Sequence, residues 1–270
     1  MKKSDAAERL LSTERVGRVM VATLSRAPVN ALNDELIARL YALLDAVVAD
    51  PEIAVLHLRS DQEAFCAGAD LVQMHSRFTT ADGHGAMIEM VRHMQRLFKR
   101  LETEPVVTIA EIGGPAIGGG LELALACDLR VAAAEAKLGL PEIRLGLLPA
   151  AGGTQRLTRL CGQGIAKRLI LGAELVEGVE AERLGIVQWV QPRAQLAAWT
   201  RELAARIAMM PKAALIANKR CIAAEADPNR DGFAEEIGAT RMLYEQPETR
   251  RRVTEFLLKT PIRPDTKEIE

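Results

Sequence analysis

The sequence has few aromatic residues, few cysteines and no long apolar run, and each scarcity argues against a class of protein. Phe, Trp and Tyr make up 3% of the 270 residues, which leaves few rings on which nucleic-acid bases could stack. The four cysteines form no CxxC pair and the four histidines form no HExxH pattern, so we expect neither a disulfide framework nor a metal site. No apolar run reaches the roughly 18 residues of a membrane span, and we expect no membrane association.

The charge balance and the N-terminal residues favour a cytoplasmic protein with a small ligand. The chain carries 35 basic and 36 acidic residues, so its net charge of −1 provides no general attraction to polyanions. The opening stretch, MKKSDAAERLLSTERV, contains acidic side chains and lacks the apolar centre of an export signal.

Strand and helix patterns alternate early in the chain, and helical patterns dominate later. The helical spacing of leucines after Asn33, a plausible N-cap, predicts a β-α-β unit between the first two strands. From about residue 153 the pattern is helical almost throughout. We therefore expect an α/β core over residues 1–190 and a helical C-terminal region over residues 191–270. The predicted strands cover residues 18–24, 53–58, 106–112 and 128–134.

The stretch MHSRFTTADGHGAMIEM, residues 74–90, interrupts helical periodicity with threonines and glycines. Two interpretations stay open, a surface loop without a function and a lid over a binding site.

A glycine-rich stretch, GGPAIGGGLELALACD at residues 113–128, leads into a predicted helix that begins near Gly119. It is neither a phosphate loop, which needs Lys and Ser or Thr after its last glycine, nor a GxGxxG fingerprint. Backbone N–H groups at a helix start have no intrahelical partner, and they can bind a developing anion. Glu122 lies in the first turn of this helix, where the helix dipole alone would also favour an acidic residue.

Two further segments offer groups of the same kind. Glu142 follows Pro141 among leucines and isoleucine, so we expect it to be partly desolvated, although a solvent-facing glutamate in a turn remains the alternative. The turn FCAGAD, residues 65–70, could direct backbone N–H groups into the same cleft. Two sets of donors and two carboxylates favour acyl chemistry.

Three motifs, AFCAGADL, PAIGGGLELALACDLRVAAAEAKLGLPEIRLGLLPAAGGTQRL and AERLGIV, resemble the crotonase superfamily, and most closely its enoyl-CoA hydratases. The resemblance covers roughly residues 15–260. It implies a spiral of β-β-α units with a helical C-terminal trimerisation part. It also implies an oxyanion hole formed by the backbone N–H groups of Ala69 and Gly119, and catalysis by Glu122 and Glu142.

The same resemblance implies a hydro-lyase that acts on an acyl-CoA substrate and assembles as a homotrimer or hexamer. No cofactor is expected, because coenzyme A is part of the substrate. Two departures leave the substrate range open. Leu71, Val72 and Gln73 stand where many hydratases carry a lysine, and Glu111 and Ile112 replace Val and Asn of the usual Ala-Val-Asn-Gly. The implied substrate-binding residues are Ala67, Gly68, Asp70, Leu71, Gly118, Phe256 and Lys259.

Two other functions remain as alternatives. Double-bond isomerisation would keep the fold and change the chemistry. RNA binding would use a basic helical face formed by Arg92, Arg96, Lys99 and Arg100. The opposite face of that helix is an ordinary apolar stripe, which favours a solvated basic face instead.

Overall fold

The computed structural model describes residues 10–259, and for Lys259 the backbone alone. Nine strands are described: β1 (Leu11–Val16), β2 (Val19–Leu24), β3 (Val55–Ser60), β4 (Val107–Ile112), β5 (Ala116–Ile117), β6 (Leu129–Ala133), β7 (Lys137–Gly139), β8 (Val176–Glu177) and β9 (Trp189–Gln191). The α-helices of this part are α1 (Asp34–Ala49), α2 (Leu71–Phe78), α3 (Gly83–Thr103), α4 (Gly119–Leu125), α5 (Gly153–Leu171), α6 (Gly178–Arg183), α7 (Arg193–Ala208), α8 (Lys212–Ala224), α9 (Gly232–Glu245) and α10 (Pro247–Lys259). A short 3-10 helix spans Glu142–Leu145.

A six-stranded sheet in the order β1-β2-β3-β4-β6-β9 forms the main layer. β1 pairs antiparallel with β2, and the other neighbouring strands are parallel. The predicted β-α-β unit is confirmed as β2, α1 and β3, and the Asn33 side chain caps α1 by accepting from Leu36 N at 2.9 Å. A second sheet of three short strands has the order β5-β7-β8. The α/β fold expected from the sequence is confirmed.

Helices α1 and α3 cover one face of the main sheet. Leu40 and Leu44 of α1, Leu56 and Leu58 of β3 and Leu97 of α3 surround the same buried space. Because strand side chains alternate between faces, the residue between the two β3 leucines points the other way.

That residue, His57, is a buried strand residue, as the sequence predicts, and its Nε2 lies 2.9 Å from Glu111 Oε2 on β4. The four cysteines are free. Cys66 and Cys127 are buried, whereas Cys161 and Cys221 are half-buried.

The chain divides into two compact units. The first contains the described residues up to Met209, and the second begins at Met210. Helix α7, which the sequence analysis places in the C-terminal region, therefore groups with the sheet. In the second unit α9 packs against both α8 and α10, and Phe233 is 84% exposed. The division after residue 190 stays a prediction.

The stretch at residues 74–90 is mostly helical, which corrects the expectation that it is a loop, and a role as a lid stays a prediction. Helix α2 ends at Phe78, α3 begins at Gly83, and four residues connect them. A Cβ added to Gly83 would lie 1.5 Å from Arg77 O, so glycine permits this close approach of the two helices.

Within residues 10–259, none of the helices is both long and apolar enough to cross a membrane. The same part of the chain contains no group of three His, Cys, Asp or Glu residues that could hold a metal ion.

Candidate active site

The loops that follow β3 and β4 meet beside the sheet. These strands are parallel neighbours, so their C-terminal ends lie at the same edge and deliver both loops there. Cys66 N donates to Pro115 O at 3.1 Å, and Ile117 N donates to Cys66 O at 3.0 Å. A Cβ on Gly120 would lie 2.0 Å from Cys66 O, so the first turn of α4 packs directly on the other loop.

Ala69 and Gly119 come together where these loops touch. A Cβ placed on Gly119 would lie 3.6 Å from Ala69 N, and one on Gly68 would lie 3.3 Å from Gly119 N. Leu32 holds the first loop from behind, because its N–H donates to Gly68 O and its carbonyl accepts from Asp70 N. Among the hydrogen bonds of the described residues, none is donated by Ala69 N or Gly119 N. The two predicted donors are thus neighbours, and neither N–H is satisfied by another group of the described residues.

Gly118 connects the donors to the second predicted carboxylate. Its backbone has φ 56° and ψ −128°, a conformation that glycine adopts readily and other residues rarely do. Its N–H donates to Gly139 O at 2.9 Å. A Cβ at this position would lie 3.0 Å from Glu142 Oε1, so the carboxyl of Glu142 faces the start of α4.

Glu122 is the buried carboxyl of the site. It lies in the first turn of α4, is 3% exposed, and its Oε1 accepts from Gly153 N at 2.7 Å. Burial raises its pKa to about 7, the Gly153 hydrogen bond opposes the rise, and the charge of Glu142 adds to it. The side chain can therefore gain or lose a proton near neutral pH.

Glu142 opens the 3-10 helix and is half-buried. Burial also raises its pKa, and its Oε2 atom is buried with no hydrogen-bond partner among the described residues. The expected desolvation is confirmed, and the solvent-facing alternative is wrong. Since the charge of Glu142 raises the pKa of Glu122, ionisation of one carboxyl disfavours ionisation of the other.

Asp70 has a structural task in this loop. Its Oδ1 accepts from the N–H groups of Val72 and Gln73 at 3.0 Å each, which caps α2, and its Oδ2 lies 2.5 Å from Arg26. The Gln73 hydrogen bond, with the Arg26 guanidinium, lowers the pKa of Asp70. Both oxygens of the Asp70 carboxylate therefore already have partners, in the first turn of α2 and in Arg26.

The other implied binding residues fall into two groups. Ala67 and Leu71 are exposed on the first loop and at the start of α2, and Ala67 N donates to Val29 O at 3.0 Å. Phe256 and Lys259 lie on α10 in the second unit, where Phe256 is 69% exposed. The Lys259 side chain lies outside the described part of the chain. A role for these residues in binding stays a prediction.

The basic face of α3 is largely occupied by ion pairs. Arg92 Nη1 lies 2.5 Å from Glu89, Lys99 Nζ lies 3.6 Å from Glu102, and Arg100 contacts both Asp45 and Glu104. This arrangement is typical of a solvated helix surface, and it gives no support to RNA binding.

Gly153 is the site residue that the sequence analysis missed. Its N–H reaches Glu122 from the start of α5, although the two residues are far apart in the sequence. The available signal was the Gly-Gly pair of AAGGTQRL ahead of a helical pattern, since a helix start offers unpaired N–H groups to a carboxylate.

Comparison with known proteins places this site in a family. The family model described as enoyl-CoA hydratase/isomerase matches residues 14–261. The short-chain-enoyl-CoA hydratase of Clostridium acetobutylicum is 36% identical over 211 residues, which are 77% of this chain and 79% of that protein. The mitochondrial methylglutaconyl-CoA hydratase of Mus musculus is 39% identical over 183 residues, 67% of this chain and 57% of that protein.

The fold agrees with these sequence matches. The crystal structure of an enoyl-CoA hydratase from Bacillus anthracis superimposes with a TM-score of 0.85 at 32% identity, covering 92% of this chain and 96% of that one. The expected resemblance is confirmed over almost the whole length of the chain, and the chain belongs to the enoyl-CoA hydratase/isomerase family of the crotonase superfamily.

Proposed function

We propose that this protein is an enoyl-CoA hydratase that adds water across the 2,3 double bond of an enoyl-CoA thioester to give a 3-hydroxyacyl-CoA. One observation carries the proposal beyond family membership. Two carboxyl groups with raised pKa values flank the start of α4, beside two N–H groups that donate no hydrogen bond within the described residues. Hydration needs a base, an acid and an anion receptor, and these groups supply all three.

The N–H groups of Ala69 and Gly119 serve as the oxyanion hole. When water attacks C3 of the substrate, negative charge moves to the thioester oxygen, which is remote from the attacked carbon. Two fixed N–H donors stabilise that charge without reorganising during the reaction. The close packing of the two loops against Leu32 and Cys66 keeps the donors in place.

Glu122 and Glu142 handle the protons. The ionised Glu122 takes a proton from water as the oxygen bonds to C3, and the protonated Glu142 gives its proton to C2. After the reaction Glu122 is protonated and Glu142 is ionised. One proton transfer between the two carboxyl groups, directly or through solvent, restores their initial protonation states. The pKa of Glu122, about 7, lets this carboxyl gain and lose a proton near neutral pH, and burial shifts the pKa of Glu142 in the same upward direction.

The remaining expectations belong to the same proposal. Gly68 and Gly118 shape the space for the thioester, and Ala67, Leu71, Phe256 and Lys259 contact the coenzyme A part. The protein acts in the cytoplasm as a trimer or hexamer, and it needs no cofactor. The relatives' names include a short-chain and a methylglutaconyl substrate, so the substrate panel must include both an unbranched short acyl chain and a branched acyl chain that carries a carboxylate.

The test measures hydration of that panel by the loss of absorbance of the conjugated double bond. We expect turnover of at least one thioester by the native chain and a loss of about 10²-fold or more in both Glu122→Gln and Glu142→Gln. Circular dichroism should show native folding in both variants. Turnover that survives either substitution would remove that residue from the mechanism, and an inactive native chain would refute the proposal.

The panel also separates hydration from isomerisation. A product that has gained the elements of water supports the hydratase, whereas a shifted double bond at unchanged mass supports the isomerase.

A further inference from the structure

A largely buried arginine lies in the first turn of the helix whose first N–H binds Glu122. Arg156, on the first turn of α5, has a side chain that is 11% exposed. Its Nε donates to Glu102 Oε1 on α3 at 2.7 Å, and its Nη1 donates to Ala151 O at 2.8 Å. Because a guanidinium is planar and rigid, these two bonds fix the turn before α5 relative to α3.

The turn is built around this side chain. Gly152 has φ 110°, and a Cβ at that position would lie 2.1 Å from Arg156 Nη1, so only glycine leaves room for the guanidinium. A second side chain of α3, Gln95, donates from Nε2 to Ala150 O at 2.6 Å. Polar side chains therefore hold the carbonyls of Ala150 and Ala151. Gly153, whose N–H binds Glu122, follows these two residues closely in the same turn.

The same guanidinium acts on the charge of Glu122. Burial is the largest cause of the raised pKa of Glu122. Three effects oppose it: the backbone hydrogen bonds from Gly153 and Ala151 and, as the smallest of the three, the positive charge of Arg156. The two hydrogen bonds depend on the position of the turn that Arg156 holds, and the third effect is the charge of Arg156 itself.

We propose that Arg156 is a positioning residue for Glu122, which holds the Gly153 N–H against the carboxylate and keeps that carboxylate available as a base. This inference deepens the proposed function and rests on it for its kinetic consequence. Arg156 donates its own hydrogen bonds to Glu102 and Ala151, so its effect on Glu122 is indirect.

The experiment compares Arg156→Ala, Arg156→Lys and a matched control. Lysine keeps the positive charge but cannot bond Glu102 and Ala151 with the geometry of a guanidinium fork. The control is Arg168→Ala, which removes another arginine of α5 whose ion pairs, with Glu174 and Glu180, are exposed. Each variant is measured for kcat and KM against pH, and for the titration of the Glu122 carboxyl by carbon-13 NMR of glutamate-labelled protein.

We expect Arg156→Ala to move the midpoint of Glu122 and the acid limb of the kcat profile upward by ~1 pH unit, since the hydrogen bonds from the turn and the Arg156 charge together favour the ionised carboxylate. At a pH below the midpoint of that acid limb, the kcat of Arg156→Ala should be about tenfold lower than that of the native chain, while KM stays within about twofold. Arg156→Lys should show a smaller upward shift, and Arg168→Ala none. A Glu122 midpoint that stays at the native value in folded Arg156→Ala would overturn the proposal.

If Arg156→Ala does not fold, Arg156→Lys decides, and a native Glu122 midpoint in that variant overturns the proposal too. The NMR titration needs no substrate. A chain that hydrates no thioester but shows the expected midpoint shifts would refute the proposed function and leave the positioning of Glu122 by Arg156 supported.

Discussion

Replacing Gly119 by valine tests whether the first N–H of α4 binds the substrate oxygen. The new Cβ would lie 3.6 Å from Ala69 N and 3.3 Å from Leu32 Cδ1. The side chain therefore enters the space between the two donors, and its tightest contact is the flexible end of a leucine. Losing one oxyanion donor costs about 2.7–4 kcal/mol of transition-state stabilisation, a factor of about 10²–10³ in kcat.

The effect of this substitution on stability should be small. Gly119 has a helical backbone without a positive φ, and valine has a better helix propensity than glycine by a few tenths of a kcal/mol. The leucine contact needs an adjustment of a few tenths of an ångström, which offsets part of that gain. The thermal midpoint should thus change little while kcat collapses.

The neighbouring glycine provides a contrast. A Cβ on Gly120 would lie 2.0 Å from the backbone oxygen of Cys66, which cannot move without displacing the loop. Gly120→Ala should therefore lower the free energy of unfolding by about 1–3 kcal/mol or more. Gly164→Val on α5, where a Cβ meets no atom within 4 Å, is the matched control and should leave kcat unchanged.

The assay follows hydration of an enoyl-CoA by absorbance and unfolding by circular dichroism for the three variants. A native kcat in Gly119→Val with a lowered thermal midpoint would refute the oxyanion role, because Gly119 would then serve only to start a helix.

Further predictions concern the acidic residues and the assembly. With the native chain, kcat/KM should fall on the acid side with a midpoint of about 7, because protonated Glu122 cannot act as a base; an acid limb that persists unchanged in Glu122→Gln would contradict this assignment. Ionising buried Glu122 costs stability as the pH rises from 4.5 to about 7, so Glu122→Gln should be more stable than the native chain at pH 8, by up to about 3 kcal/mol in urea unfolding. The prediction requires that Glu122→Gln and the native chain are equally stable at pH 5 and that the variant is the more stable of the two at pH 8. Asp70→Ala removes the cap of α2 and an ion pair, and it should lower the free energy of unfolding by about 1–2 kcal/mol. An unchanged urea-unfolding midpoint would show that the cap does not stabilise the protein. Sedimentation should show a trimer or a hexamer, and a stable, active monomer would contradict that expectation.

The sequence predicts those parts of the fold that depend on local patterns. The β2-α1-β3 unit follows from leucine spacing and from the Asn33 cap, both of which act within a few residues. The two-residue strands β5 and β8 have no such pattern, because both pair with β7, which is distant from them in the sequence. The helices of residues 71–103 were obscured by Gly83, which is present because the chain approaches Arg77 there.

The same distinction applies to the candidate site. Glu122, Glu142, Ala69 and Gly119 could be selected from motifs, since their segments match a family pattern. The hydrogen bond from Gly153 to Glu122 joins segments that are distant in the sequence, and no local pattern specifies it. The family motif indicates that Asp70 binds substrate, and the hydrogen bonds from Val72 and Gln73 add a structural role as the cap of α2.

The most direct test of the central proposal is the mass of the product formed in water labelled with oxygen-18, because hydration adds the oxygen of water to the product and isomerisation does not. The chain is incubated with a 2-enoyl-CoA and, separately, with its 3-enoyl isomer, and the products are analysed by mass spectrometry. The 2-enoyl thioester should gain one labelled water, and Glu122→Gln and Glu142→Gln should abolish this gain. A product of unchanged mass with a displaced double bond, or labelled product formed at the native rate by both variants, would contradict it.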